Sequence, residues 1–300
     1  MNMRAVFYED LYEFYNKAFS FLVKHEVKNS LPLTILNSLK KNIQKYGKEP
    51  PLMFSLAENG FIKLISLMTP PRDLIISYTD DLNNVKILVE ELSKKNVYLP
   101  GVLSFKEAAD KFTKLWCEKN SLESKLLRRE RIYKLTKVSE ETLGDKLFSV
   151  ATKPHQPTVL KWAREMITEA LLEVTEEELL RNNNNLKDEF EHENSQIYLL
   201  FEDKVPVSMA RKAGKAPHGN AINLVYTPPF LRRKGYATEC VAKLSKLLLE
   251  NGNDYCFLFT DLSNPTSNSI YQKIGYRPII DENHYRFYSK KLKKKGQKVS

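Results

Sequence analysis

The segment from Asn223 to Thr238, NLVYTPPFLRRKGYAT, constrains the fold more than any other part of the chain. It opens as an apolar strand, AINLVYT, that Pro228 and Pro229 bring to an end, because proline cannot donate to a strand ladder. The chain then turns through Arg232, Arg233 and Lys234 to Gly235, and Val241, Leu244 and Leu248 recur at helical spacing beyond it. A strand feeding a helix through a short basic turn requires an α/β arrangement, with the helix packed back on a sheet. The helix N-terminus concentrates unpaired N–H groups and partial positive charge at the strand's end. Small residues at Gly235 and Ala237 let an anion approach those amides, and the three cations surround it. A diphosphate suits such a cradle.

Strand and helix patterns alternate along the rest of the chain. Residues 3–9 read as a strand and Leu11 to His25 as an amphipathic helix, with a second helix opening after Pro32. Asn59-Gly60 marks a hairpin, and Leu82, Val85, Leu88, Val89 and Leu92 share one helical face. A short strand (Val102–Phe105), a helix and an extended segment, LLRRERIYKLTKV, complete a first pass. A second pass begins near Lys146 with a strand and a helix, followed by a helical stretch interrupted by four asparagines (182–185). Two strands around the Glu202-Asp203-Lys204 turn, the strand–loop–helix segment, the strand YCFLFTD, a capped helix from Asn264 and a terminal hairpin follow.

Composition excludes several classes. Hydrophobic residues at 42% and charged residues at 28% of 300 support a sizeable core and rule out intrinsic disorder for the body of the chain. The apolar run Leu244–Leu249 is broken by Lys246, and acids at Glu9 and Asp10 precede any signal-peptide core, so a soluble, cytoplasmic protein without membrane partners is expected. Six lysines of the last stretch, KKLKKKGQKVS, account for most of the +10 net charge, and without them the excess is +4. That run reads as a solvated basic tail over 290–300. No aromatic platform accompanies it, and the basic residues near Lys134 alternate with Glu123 and Glu130, so a nucleic-acid partner is not expected. Cys117, Cys240 and Cys256 lack CxxC spacing and indicate neither disulfides nor a metal site.

The spacing Arg232-x-x-Gly235-x-Ala237, with Pro228 upstream, resembles the coenzyme A pyrophosphate loop of the GNAT superfamily of N-acetyltransferases. A second matching piece is Asn264 to Tyr276, NPTSNSIYQKIGY, with asparagine seven residues ahead of Tyr271 and then Gly275-Tyr276. The resemblance spans about residues 146–288; alanine at 237, where many members have glycine, is a tolerated departure. It implies an α/β (α+β) fold with a mixed, splayed central sheet flanked by helices. Domains are expected at 1–140 (a degenerate GNAT-like copy, making a tandem), 141–289 (the acetyltransferase domain) and 290–300 (the tail).

The resemblance further implies acetyl-CoA as co-substrate and a primary amine on a small molecule or peptide as acceptor. The backbone of Leu224, Val225 and Tyr226 would meet the pantetheine arm; Arg232, Arg233, Lys234, Gly235, Tyr236, Ala237 and Thr238 would hold the diphosphate. Asn264 would cap a helix and touch the arm, and Tyr271 would protonate the departing thiolate. The strand carries no glutamate to act as general base; His218, Asp261, Glu169 and Glu173 are the titratable groups within reach. The rival reading is a non-catalytic acyl-CoA-binding or regulatory module that keeps the pocket and lacks a base. In the first half, TDDLNN puts acids where a phosphate cradle needs amides and cations, so no second cofactor site is expected there.

Overall fold

The computed structural model describes residues 3–170, 175–192 and 195–290; the tail beyond Lys290 and Glu173 lie outside them. The chain divides into two compact units, residues 1–131 with the chain from Ile280 onward, and Ile132–Ile279.

The first unit contains β1 (Met3–Tyr8), α1 (Leu11–Val23), α2 (Ser30–Lys41), β2 (Leu52–Glu58), β3 (Phe61–Met68), β4 (Leu74–Ile76), α3 (Asn83–Lys94), β5 (Gly101–Phe105) and α4 (Lys106–Asn120). It also holds most of β6 (Leu122–Leu135) and the later part of the final strand, β12 (Arg277–Ser289). Strands β1 to β5 lie in sequence order, and β12 continues the order beside β5, with Phe105 opposite Glu282 and Gly101 opposite Arg286. Helices α1 and α2 cover Met53, Ile65 and Leu67 on one face, while α3 and α4 cover Phe54, Leu56, Leu64, Leu74 and Val102 on the other. Alternate residues of a strand thus serve two cores, as the period of two requires.

The second unit contains β7 (Leu147–Val150), α5 (Gln156–Ala170), α6 (Glu176–Glu191), β8 (Ile197–Glu202), β9 (Val205–Lys215), β10 (Gly219–Tyr226), α7 (Tyr236–Glu250), β11 (Tyr255–Asp261) and α8 (Pro265–Ile274). Strands β7 to β11 again follow sequence order. Antiparallel pairing joins β7, β8, β9 and β10, and β10 runs parallel to β11. The predicted stripe Val241, Leu244 and Leu248 is buried in the core under α7, with Cys240 and Cys256 beside it as small core residues. Trp162 and Val159 of α5 pack with Leu186 and Phe190 of α6 on the opposite face.

Three local expectations change. Helix α2 starts at Ser30, ahead of Pro32, because proline in the first helical turn forfeits only an N–H that has no intrahelical partner. Helix α6 runs unbroken through Asn182–Asn185, because Leu179, Leu186 and Phe190 fall on one face of a continuous helix and each is buried. The terminal hairpin is instead the single long strand β12. No helix among the described residues is long and apolar enough to cross a membrane.

Candidate active site

Strand β10 pairs with β11 only at Gly219, Asn220 and Ala221, opposite Tyr255, Cys256 and Phe257, yet continues to Tyr226. Its register against β9 breaks between Asn223 and Tyr226, where Leu224 adopts a left-handed φ of 46°. An irregularity of this kind re-aims backbone groups and interrupts a ladder. Leu224 and Val225 lie within that break, so their peptide groups are the ones it turns out of register. Tyr226 is held differently. Its carbonyl accepts from Ser208 Oγ at 3.1 Å, and Thr227 Oγ1 donates to the same serine at 2.9 Å.

After Pro228 one 3₁₀ turn, Pro229–Leu231, leads to the basic turn. Arg233 (φ 64°) and Gly235 (φ 84°) are both left-handed. A Cβ at Gly235 would meet nothing within 4 Å, so the glycine answers the backbone angle and not crowding, and it leaves the space in front of the loop open. The first α7 bond runs from Glu239 N–H to the Gly235 carbonyl at 3.0 Å, and Gly235 supplies no side-chain cap. The amides of Tyr236, Ala237 and Thr238 therefore stand at an uncapped helix N-terminus, beside exposed Arg233 and Lys234. Donors, charge and open space all suit a diphosphate.

Two residues of this loop keep their side chains elsewhere. Tyr236 is buried and donates its hydroxyl to Glu202, which pushes the phenol up to about 12, and Lys146 Nζ lies 3.3 Å from the same carboxylate. Only the Tyr236 amide can serve an anion. Arg232 Nε donates to the Thr227 carbonyl at 2.9 Å, its Nη2 donates to Glu169 at 2.6 Å, and its guanidinium lies 5.6 Å from the Tyr226 ring centroid. Tyr226 is itself buried, and its hydroxyl donates to Glu165 and Glu169 at 3.1 Å each. Burial and these two carboxylates hold that phenol well above the usual tyrosine range.

Helix α8 begins at the expected cap: Asn264 Oδ1 accepts from Ser267 N–H at 3.0 Å with Pro265 in the first turn. It ends at Gly275 (φ 113°), where a Cβ would lie 2.9 Å from the Lys137 carbonyl. Tyr271 lies on the buried face of α8, 8% exposed, with ring centroids of Tyr133 and Tyr276 at 6.4 and 6.0 Å. The Tyr133 hydroxyl donates to Asn268 at 3.1 Å, and the Tyr276 hydroxyl is 2.8 Å from Ser245 Oγ. Tyr271 makes no side-chain hydrogen bond among the described residues, and burial pushes its phenol up to about 12.

The groups considered for proton removal are dispersed. His218 is exposed and precedes β10, Asp261 Oδ1 accepts from Ser263 N and Oγ at 2.7 Å each, and Glu169 is bound to Tyr226 and Arg232. Sequence reasoning did not find Glu165 as a partner of Tyr226, nor Tyr133 beside Tyr271. The four-residue spacing of Glu165 and Glu169 places both on one helical face and was the available signal. Among the described residues no group of three or more His, Cys, Asp or Glu side chains is arranged to hold a metal ion.

A family profile described as FR47-like protein matches residues 201–287. No match was found among curated protein sequences. Solved structures are similar over nearly the whole chain. An acetyltransferase of the GNAT family from Colwellia psychrerythraea shares 12% identity at a TM-score of 0.60, with 96% of this chain and 100% of that one covered. A GCN5-related N-acetyltransferase from Sphaerobacter thermophilus shares 12% at 0.60, with 95% of each chain covered. A tandem GNAT protein from the clavulanic acid biosynthesis pathway shares 9% at 0.53, covering 96% and 98%. The fold is thus the GNAT acetyltransferase fold, a mixed splayed sheet flanked by helices. The similarity to each of these three structures spans both units of the chain.

Proposed function

We propose that the chain is an acetyl-CoA-dependent N-acetyltransferase that transfers the acetyl group directly to a primary amine in a ternary complex. The observation that carries this reading is that β10 parts from β11 after Ala221 beside the uncapped N-terminus of α7. Bound acetyl-CoA would supply the activated thioester. The amides of residues 233–238, with Arg233 and Lys234, would hold its diphosphate. The re-aimed peptide groups of Leu224 and Val225 would orient the pantetheine arm and polarise the acetyl carbonyl as negative charge develops on it. Positioning of this kind supplies most of what the transfer needs.

Tyr271 would give its hydroxyl proton to the departing thiolate. A phenol near 12 stays protonated at neutral pH. The apolar surroundings that raise it also raise the proton affinity of a thiolate formed there, so the two remain matched. Asn264 caps α8 and leaves its carboxamide nitrogen for the arm. The acceptor would be an amine on a small molecule or peptide, and the protein would act in the cytoplasm. Titration calorimetry with acetyl-CoA tests the reading: binding at tens of micromolar or tighter is expected, and its absence sinks the proposal. The engagement of Glu169 and Asp261 by other groups favours the rival, a non-catalytic acyl-CoA-binding module. Release of free thiol across a panel of amines separates the two.

A further inference from the structure

We infer that Glu169 is a positioning residue for the anion loop, acting through Arg232, whose side chain is a brace across the base of the loop and not a ligand of the diphosphate. The inference rests on the acetyl-CoA reading above. Arg232 opens the Arg-x-x-Gly-x-Ala spacing, and its position alone suggests a phosphate contact. Its guanidinium is already spent. Nε donates to the Thr227 carbonyl at 2.9 Å, which ties together the two ends of the Pro228-Pro229 turn. Nη2 donates to Glu169 Oε2 at 2.6 Å, which fastens that closed turn to α5.

The same carboxylate reaches the strand. Glu169 Oε1 accepts from the Tyr226 hydroxyl at 3.1 Å, while the Tyr226 carbonyl is held by Ser208. One side chain of α5 therefore fixes both the residue where β10 ends and the residue where the basic turn begins. Between Arg232 and the helix the chain passes through two left-handed residues, Arg233 and Gly235. A small rotation at Arg232 would re-aim every amide from there to Thr238. Electrostatics agrees with this division of labour. Glu169 cancels the charge of Arg232, whereas Arg233 and Lys234 are exposed and form no ion pair among the described residues, so they supply the field that attracts an anion.

The pair is half exposed, so its loss should loosen the loop without unfolding the unit. The test is a double-mutant cycle in the full chain, with acetyl-CoA affinity read by calorimetry. Glu169→Gln and Arg232→Gln should each weaken binding about tenfold, and the double variant should lose no more than either, because each single change already removes the brace. Glu169→Asp, which keeps the carboxylate, should stay within about threefold of the parent. Backbone order parameters of residues 233–238 without ligand should fall in both single variants, while amide exchange in the core of α7 remains slow. Two results would overturn the inference: losses that multiply in the double variant, or parent affinity in Glu169→Gln beside a loss in Arg232→Gln. A parent chain that binds no acetyl-CoA would instead remove the functional reading, and unchanged loop order parameters in Glu169→Gln would then still refute the brace.

Discussion

The two units carry the same succession of strands and helices, yet they treat the same two places in opposite ways. In the second unit β10 runs on past its pairing with β11, and the N-terminus of α7 is left without a side-chain cap. In the first, β4 is only Leu74–Ile76, and its end is closed by the unit's own groups. Ser104 Oγ donates to the Ile76 carbonyl at 3.0 Å, Ser77 Oγ accepts from Ile65 N–H at 2.9 Å, and Asn29 Oδ1 accepts from Tyr78 N–H at 2.8 Å. Helix α3 also lacks a side-chain cap at Leu82, but its first three amides are used internally: Asn83 N–H donates to Asp81 Oδ1 at 2.8 Å, Asn84 N–H to the Asp81 carbonyl at 3.2 Å and Val85 N–H to the Leu82 carbonyl at 3.2 Å. Where Tyr271 lines the second core, α4 offers Phe112 and Trp116. One frame has thus been satisfied internally in one unit and left with open donors in the other. Buried or half-buried backbone groups need partners, and those without an internal one are free for a ligand.

The comparison breaks most completely on stoichiometry: the full chain should bind a single acetyl-CoA, and a second site of comparable affinity would mean that the first unit is not sealed. Next in size is Tyr271→Phe. Loss of a general acid typically lowers turnover by about two to four orders of magnitude. Affinity for acetyl-CoA should barely move, because the ring stays in the same aromatic packing. A rate equal to the parent's would show that Tyr271 is a core residue like Phe112.

A smaller effect sharpens the view of the first unit as structural. Glu282 of β12 is 6% exposed, and burial, with Glu130 nearby, pushes its carboxyl up to about 8; Arg128 only partly opposes this. The folded value lies above the unfolded one of about 4.3. The folded chain therefore prefers the protonated form, and its relative stability is lost as pH rises from the unfolded value to about 8 and is level above that. Glu282→Gln should remove this fall, so at pH 9 the variant should exceed the parent by about 5 kcal/mol in denaturant unfolding. The two should converge near pH 4. Parallel pH profiles would show that Glu282 is solvated or paired.

Much of the frame was legible because it is local. The turns at Asn59-Gly60 and Asp203-Lys204 fall where left-handed φ values are needed. The strand Tyr255–Asp261, the cap at Asn264-Pro265 and the glycine entry to α7 likewise follow from neighbouring residues. What was not legible depends on partners far along the chain. The end of the chain was read as a terminal hairpin, but Asp281 pairs with Arg131 at 2.6 Å and Asn283 with Asp110 at 2.6 Å, which makes those polar residues part of one strand. Glu169 and Arg232 are 63 positions apart, so spacing within the loop could not show that its first arginine is already occupied.

At Asn264 the cap of α8 and a proposed contact to the cofactor fall on one side chain. Its Oδ1 caps α8 by accepting from Ser267 N–H at 3.0 Å, whereas the proposed contact to the cofactor arm would use the carboxamide nitrogen. Asn264→Ala removes both and should cost about 1 kcal/mol of stability. Asn264→Asp keeps a good cap, since aspartate accepts the same amide, but replaces the donor with an acceptor. The aspartate variant should match the parent in thermal stability and lose about tenfold in acetyl-CoA affinity, the value of one hydrogen bond to a polar ligand group. If it matches the parent in both, Asn264 is a cap alone. Helix α4 shows what such a cap adds: it begins at Lys106 directly after β5 with no side-chain cap at Phe105 and is nevertheless held by Ala108, Phe112 and Trp116 in the core. Helix α8 has only Tyr271 and Ile274 buried, so the side chain under test as a proton donor is also one of the two that dock its helix, and the cap at Asn264 is what keeps that short helix from fraying when the ring is changed.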